Sequence, residues 1–391
     1  IKTFYTLQSY HLWKEKNPWV TDKNVKSYKG LATSTRPEAI EYFKQLRTYC
    51  YVPSEASRER VDMAFNKKRA DNRKRWLRNY VEHNILDIEA KEVHIDEFID
   101  KDLIHFSNYD AQRSIPSMCD GLKPSQRKAL YGMYKLNVRH EKKVADIQGP
   151  IMSVSRYHHG DKSMTGTITG MADNYVGSNN INLFYPGGMF GTRLQGGKDC
   201  GSARYVSTCL EKVTDLIFRQ EDYPLLDILD DDGMPIEPRW YLPIIPMVLV
   251  NGTHGIGTGF STHVPCFNPK DIINRLRLLI DGKRAPKLKP WYRGFTGDVV
   301  SKGGKWFTEG KFTFKGETSV IITELPIGIW THNYTVHLES LLYNGSETDK
   351  RKKSKQCLLS YKKDNGDSDI TVKLSLGFRR GDLDKFKNNI K

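Results

Sequence analysis

Between residues 187 and 204 the chain reads GGMFGTRLQGGKDCGSAR, six glycines in eighteen positions. Glycine at this density excludes a stable helix, because each one costs about 1 kcal/mol relative to alanine. It also weakens any strand interior. The stretch is therefore expected to form Gly-rich hairpin segments, whose backbone can turn tightly and lie close to something bulky. Arg204 and Tyr205 follow directly and are placed at the edge of whatever approaches.

The segments upstream are helical. In SIPSMCDGLKPSQRKALYGMYKL (114–136), Asp120-Gly121 turns the chain and Pro124 suits a first helical turn. Leu130, Met133 and Tyr134 then form an apolar stripe. A second helix is predicted in HGDKSMTGTITGMADNYV, capped by Asp161 or Ser163, with Met164, Ile168, Met171, Ala172 and Tyr175 on one face. Gly166 and Gly170 weaken it, which predicts close packing against another helix or DNA. Two short helices separated by a basic loop, then a Gly-rich hairpin, predict a winged-helix variant of the helix-turn-helix.

On either side lie different patterns. Residues 1–48 read as the end of an α/β unit: a short strand and Gly turn in KNVKSYKGLATST, a Thr/Ser cap, then an amphipathic helix in RPEAIEYFKQL. Two long polar helices are expected over 58–100. Residues 58–78 carry nine Lys/Arg against three Asp/Glu, with Val61, Phe65, Trp76 and Leu77 marking an apolar side. Beyond 240, NPKDIINRLRLLIDG reads as an amphipathic helix started by Asn268 or Pro269. Strands follow in FTGDVV, KWFTEGKFTFKG, TSVIITELP and SDITVKLSLGF. This half reads as a separate α+β domain.

The net charge of +15 favours a polyanionic partner, through phosphate neutralisation and counterion release. No run of about 18 apolar residues is present, so no transmembrane helix is expected. The six cysteines are scattered without paired short spacing, which argues against a zinc site or disulfide framework and for reduced, intracellular thiols. A start without Met or a signal peptide suggests a fragment of a longer polypeptide.

Six motifs occur in a fixed order: SYKGLATST, RSIPSMCDGLKPSQRKALYG, SRYHHGD, YVGSNNINLFYPGGMFGTRLQGGKDCGSARY, YLPIIPMVLVNGTHGIGTG and ELPIGIWT. Together they resemble eukaryotic-type DNA topoisomerase II, nearly continuously from about residue 25 to 345. The resemblance implies an α+β multidomain fold: a winged-helix (helix-turn-helix) DNA-cleavage domain, an α/β tower domain, and the C-terminal tail of a Toprim domain. The implied boundaries are 1–48 for the Toprim tail, 49–105 for a helical linker, 106–245 for the winged-helix domain and 246–391 for the tower.

By that resemblance Tyr205 is the nucleophile that attacks a backbone phosphate. A phenol has an ordinary pKa near 10, so it needs a proton acceptor, a nearby cation or a metal on the phosphate. Arg204 is expected on the scissile phosphate, where a guanidinium presents a planar fork. Arg127 completes the site from the first helix. His159 stabilises the transition state and His158 supports it, both just before a helix N-terminus. Lys123, Lys128 and Arg193 are expected either to contact the DNA backbone or to be solvated. NGTHGIGTG lacks the lysine of a Walker loop. The resemblance instead makes Ile256 an apolar wedge between base pairs; the alternative is a Gly-rich hairpin with a packed isoleucine.

Asp230, Asp231 and Asp232 in ILDDDGMP are not assigned a metal. The resemblance puts Mg2+ on a Toprim core upstream of residue 1 and ATP on an ATPase domain also missing here. It further implies double-stranded DNA and a second copy of the chain as partners, with no membrane. The expected function is cutting both strands of a gate duplex through a 5′-phosphotyrosyl intermediate and resealing them, with ATP-dependent strand passage in the full-length enzyme. The alternatives are a non-catalytic winged-helix DNA-binding module and a scaffold for acidic proteins. YHHG and the fused YKGLATST speak against the bacterial A-type subunit. Ala32, where the family usually has glycine, and a poor match after 345 suggest a divergent member of the kind a large DNA virus encodes. Location is then the nucleus for a cellular protein, and host cytoplasm or nucleus for a viral one. The Lys/Arg run at 350–355 is either a nuclear address or a solvated loop.

Overall fold

The computed structural model describes residues 2–383 apart from 5–6, 22–23, 27, 29–33, 45, 47, 88–89, 232, 344–355 and 365–371. Ala32 with the Gly30 and Leu31 before it, Asp232 and the Lys/Arg run at 350–355 lie outside the described residues. The chain divides into two units.

The first unit comprises Ile1–Ile115, Asp232–Met234 and Gly255–Thr262. It begins with α1 (Leu7–Glu15) and α2 (Arg36–Lys44). Glu38 accepts the Thr35 N–H at 2.7 Å, half of a capping box, which fits the Thr/Ser start expected there. The Tyr28 hydroxyl, the Thr35 N–H and Lys26 together hold the Glu38 carboxyl down at about 2. Strands β1 (Cys50–Val52) and β2 (Glu92–His94) pair in parallel. Between them stand α3 (Ser57–Phe65) and α4 (Ala70–Arg78). After β2, α5 (Ile95–Phe98) leads through a wide turn at Ile99–Leu103 into α6 (Ile104–Ser114).

The basic segment 58–78 is thus two helices. Asn66 breaks it with extended backbone and accepts the Lys68 N–H at 3.0 Å. The break resets the helical phase. Met63, Trp76 and Leu77 enter the core with Ile99 and Ile104, while Val61 and Phe65 are exposed.

The second unit comprises Pro116–Asp231, Pro235–His254 and His263–Lys391. Three helices form its first half: α7 (Pro124–Lys135), α8 (Val144–Val154) and α9 (Asp161–Ala172). Leu130 and Met133 from α7, Ile147 and Ile151 from α8, and Met164, Ile168, Met171 and Ala172 from α9 share one core. Helix α8 lies where only a basic loop was expected, because Gly149 and Pro150 obscure its Val144, Ile147, Ile151 stripe. Gly132 lets α7 and α8 close up, since a Cβ there would lie 2.7 Å from Ile151 Cγ2. Apart from adjoining residues of α9, no atom among the described residues comes within 4 Å of the Cβ positions of Gly166 and Gly170, so of the close packing expected there, against a helix or DNA, the described residues make none.

A small wing completes the motif. Strand β3 (Lys142–Lys143) pairs antiparallel with β4 (Ser207–Thr208), and single bridges join Gly187 to Ser207 and Phe184 to Leu210. Next come α10 (Lys212–Ile217), the hairpin β5 (Ile228–Asp231) and β6 (Met234–Pro238), and α11 (Met247–Val250). The hairpin β7 (Thr253–Ile256) and β8 (Ser261–Val264) leads to α12 (Pro269–Ile280). Asn268 caps that helix, its side chain accepting the Lys270 N–H at 2.9 Å. A hairpin of β9 (Asp298–Lys302) and β10 (Lys305–Glu309) precedes an antiparallel sheet. That sheet is ordered β11 (Lys311–Lys315), β12 (Ser319–Glu324), β14 (Leu374–Phe378), β13 (Leu358–Lys363), and α13 (Thr331–Leu341) contributes to its core.

Candidate active site

Tyr205 closes a turn that is fixed on both sides. Its N–H donates to the Ser202 carbonyl at 2.8 Å, and its own carbonyl accepts from Lys143 Nζ at 2.9 Å. The start of α8 holds the flanks: Ala145 N–H donates to the Ala203 carbonyl (3.0 Å) and Val144 N–H to that of Val206 (3.1 Å). Val206 is buried in the winged-helix core, yet Tyr205 next to it is 71% exposed. Its hydroxyl makes no hydrogen bond among the described residues, and Arg204 beside it is exposed without an ion pair among them. A large aromatic is thus offered to solvent from a rigid base. Lys143, which sequence reasoning passed over, adds a cation to the backbone of this turn.

Arg127 sits elsewhere in the hydrogen-bond network. It is buried on α7, with Nε at 2.7 Å from Asp120 Oδ2 and Nη2 at 3.1 Å from Asp120 Oδ1 and 2.9 Å from the Leu122 carbonyl. Asp120, fully buried, also accepts the N–H groups of Leu122 and Tyr241 at 2.9 Å each. The fork is preorganised, but most of its donors already face inward. His158 and His159 lie just ahead of α9. The His158 Nε2 is 2.9 Å from Asp231 Oδ2 on β5, so one of the unassigned aspartates orients a histidine. The His159 ring stands edge-on to Tyr157 at 5.2 Å, and the Tyr157 hydroxyl is 2.8 Å from Ser163 Oγ in the first turn of α9.

Two expected DNA contacts turn inward. Lys128 Nζ reaches Glu237 Oε2 at 2.8 Å and the Ser155 carbonyl at 2.6 Å, with the Glu237 side chain 4% exposed. Arg193 meets Glu324 at 2.5 Å, and both are buried. In the described fold each of these two cations is thus engaged by a buried carboxylate. Lys123 caps α7 half-buried, its N–H donating to Gln126 Oε1 at 2.9 Å. Near the loop before Tyr205, Asp173 Oδ1 is buried without a partner among the described residues. Burial, and then the charge of Asp199, push its carboxyl up to about 7.

Ile256 belongs to the first unit, at the tip of the β7–β8 hairpin, and is 70% exposed rather than packed. The tip is anchored behind it. Thr258 donates through N–H and Oγ1 to Asp110 Oδ2 at 2.9 and 3.0 Å. A Cβ on Gly257 would lie 2.9 Å from Ala111 Cα, so only glycine allows this approach to α6. In the same unit, Arg60, Arg69 and Lys74 are ion-paired and Arg73 caps the end of α3 on two carbonyls. Arg58, Lys67, Lys68, Arg75 and Arg78 form no ion pair among the described residues.

Among the described residues no three His, Cys, Asp or Glu side chains cluster as a metal site.

Residues 113–388 match the family model for the A-type subunit of DNA gyrase/topoisomerase IV, and residues 1–111 match the C-terminal associated domain of TOPRIM. The chain belongs to the type II DNA topoisomerases. It is 47% identical over 350 residues to DNA topoisomerase 2 of Arabidopsis thaliana, covering 87% of this chain and 24% of that protein. It is 41% identical over 400 residues to DNA topoisomerase 2 of Drosophila melanogaster, covering 98% of this chain and 27% of that protein. The crystal structure of the Plasmodium falciparum topoisomerase II DNA-binding, cleavage and re-ligation domain superposes with a TM-score of 0.78 at 38% identity, covering 99% of this chain and 52% of that one. The chain spans about a quarter of the length of these curated relatives. The topoisomerase relatives named are of the eukaryotic type, and the α+β architecture is that of the cleavage core.

Proposed function

We propose that this chain is the DNA-cleaving part of a type II topoisomerase and that Tyr205 is its nucleophile. The exposed phenol on a pinned turn, next to an unpaired Arg204, carries the reading. The phenol loses its proton and its oxygen bonds to phosphorus. The bond from phosphorus to the 3′ oxygen breaks and that oxygen takes up a proton, matching the one the phenol gave up, which leaves a 5′-phosphotyrosyl ester and a free 3′ hydroxyl. The ester keeps the diester's bond count, so resealing is the reverse step and requires no ATP. Arg204 offers two parallel donors to the phosphate oxygens as charge spreads over them. His159, next to the N-terminus of α9, adds donor capacity in a favourable field, and His158 is oriented by Asp231. Arg127 supports the site from α7.

Double-stranded DNA is the substrate, the working unit is a homodimer, and Mg2+ and ATP act through parts of the intact protein outside this chain. Ile256 wedges into the duplex, Lys123 and the unpaired cations of α3 and α4 contact phosphates, and the protein works in the nucleus. No helix among the described residues is long and apolar enough to cross a membrane. The deciding experiment is Tyr205→Phe in the intact protein: duplex binding is retained while the denaturation-resistant DNA adduct disappears. An adduct from the Phe variant above trace level moves the nucleophile elsewhere. No adduct from the parent protein either leaves only the non-catalytic winged-helix module.

A further inference from the structure

Arg193 lies twelve residues before Tyr205 in the glycine-rich loop. Its guanidinium ends on Glu324, the last residue of β12. Both side chains are almost fully buried, at 6% and 3% exposure. Glu324 is held in turn: its Oε2 accepts from Thr296 N–H at 3.2 Å and Thr296 Oγ1 at 2.9 Å, and its Oε1 accepts from Leu325 N–H at 2.9 Å. A carboxylate so completely engaged is a fixed post rather than a mobile counter-charge.

The same segment grips the loop twice more. His332 N–H donates to the Leu194 carbonyl at 2.9 Å, and Thr331 N–H to the Arg193 carbonyl at 3.4 Å. The Trp330 ring lies flush against Gly196, where a Cβ would fall 2.2 Å from the indole, and it stands edge-on to Tyr175 at 5.7 Å. Beyond these grips the loop is self-braced. Thr192 donates from N–H and Oγ1 to Asp199 at 3.0 and 2.5 Å, and Gly201 N–H donates to the Met189 carbonyl at 2.9 Å. Four residues later the chain reaches Tyr205.

We infer that Glu324, acting through Arg193, is a positioning residue for the nucleophile: the end of β12 and the start of α13 hold the 192–201 loop, and the loop sets where Tyr205 stands. This rests on Tyr205 being the nucleophile. Displacement of a reacting group by about 1 Å lowers rates on the order of 100-fold, so loosening the post acts on the chemical step rather than on encounter with DNA.

The test uses the intact protein with Glu324→Gln, and with Arg193→Met combined with Glu324→Met, in which neither charge is left buried alone. Three readouts are taken: the rate of covalent adduct formation at saturating duplex, duplex Kd, and hydrogen exchange of the amides of 192–201. The expected result in both variants is an adduct rate lower by about tenfold or more, Kd within twofold, and faster exchange confined to the loop. Unchanged adduct rate and unchanged exchange in the double variant overturn the inference, whatever the fate of the single one. A Kd that weakens as much as the rate falls also overturns it, because Arg193 is then a DNA contact. Tyr205→Phe is run in parallel. If it still forms adduct, the nucleophile assignment fails, while loop exchange still reports separately on whether Glu324 holds the loop.

Discussion

Replacing Asp173 by asparagine should make the protein's stability less sensitive to pH. Asp173 follows α9, and burial together with the nearby Asp199 raises its carboxyl from the ordinary 3.8 to about 7. The folded state therefore holds the proton more tightly than the unfolded chain does. The resulting stabilisation is fully present below about pH 4 and is lost as pH rises through about 7. A rise of about three in pKa, at 1.36 kcal/mol for each, gives about 4 kcal/mol in all, of which about 3 kcal/mol falls between pH 5 and 8.5. Asparagine has the same shape and no charge to bury. The assay is urea unfolding of parent and Asp173→Asn at both pH values. The variant should gain on its parent by about 3 kcal/mol between the acid and the alkaline measurement. An advantage that stays constant within about 0.5 kcal/mol across that range would refute the reasoning. Asp199→Asn should recover only the smaller part of the effect, since burial is the larger cause.

Lys128→Met leaves Glu237 buried and unpaired, which should destabilise by about 3–5 kcal/mol in urea unfolding; adding Glu237→Leu should restore most of it. Full stability in the single variant removes the internal role given to Lys128. Ile256→Ala should reduce duplex bending, read as end-to-end distance by fluorescence transfer, more than it slows initial association. Equal bending takes the wedge away from Ile256. Duplex affinity should fall steeply with salt and depend little on sequence, and Arg75→Ala with Arg78→Ala should flatten the log–log slope by about 0.9 per cation lost. An unaltered slope places the DNA away from α4.

The winged helix was legible because its apolar stripes are strong: Met164, Ile168, Met171 and Ala172 are all buried as their spacing requires. Helix α8 was not, because Gly149 and Pro150 interrupt the propensity signal while tertiary packing of Ile147 and Ile151 overrides it. The break at Asn66 was hidden for a related reason: an asparagine inside a charged run does not announce that its side chain will cap the next turn. The positions of Tyr205 and Arg204 came from the motif, but their exposure depends on contacts from Lys143 and α8 that lie some sixty residues away in sequence. The inward turn of Lys128 and Arg193 was illegible in principle. Their carboxylate partners are separated from them by 109 and 131 positions, and nothing local distinguishes a buried cation from a phosphate contact.

The open flank of α9 has a use as a reporter. Apart from adjoining residues of α9, nothing among the described residues lies within 4 Å of a Cβ placed at Gly166 or Gly170, and alanine at either would favour the helix by about 1 kcal/mol. Among the described residues, then, no neighbour calls for glycine at either position. A saturation scan of the two sites in the intact protein becomes a footprint. Substitutions of increasing size will be tolerated up to the clearance left by whatever lies along that helix in the working assembly. The size at which tolerance ends measures that gap with no structure of the complex required.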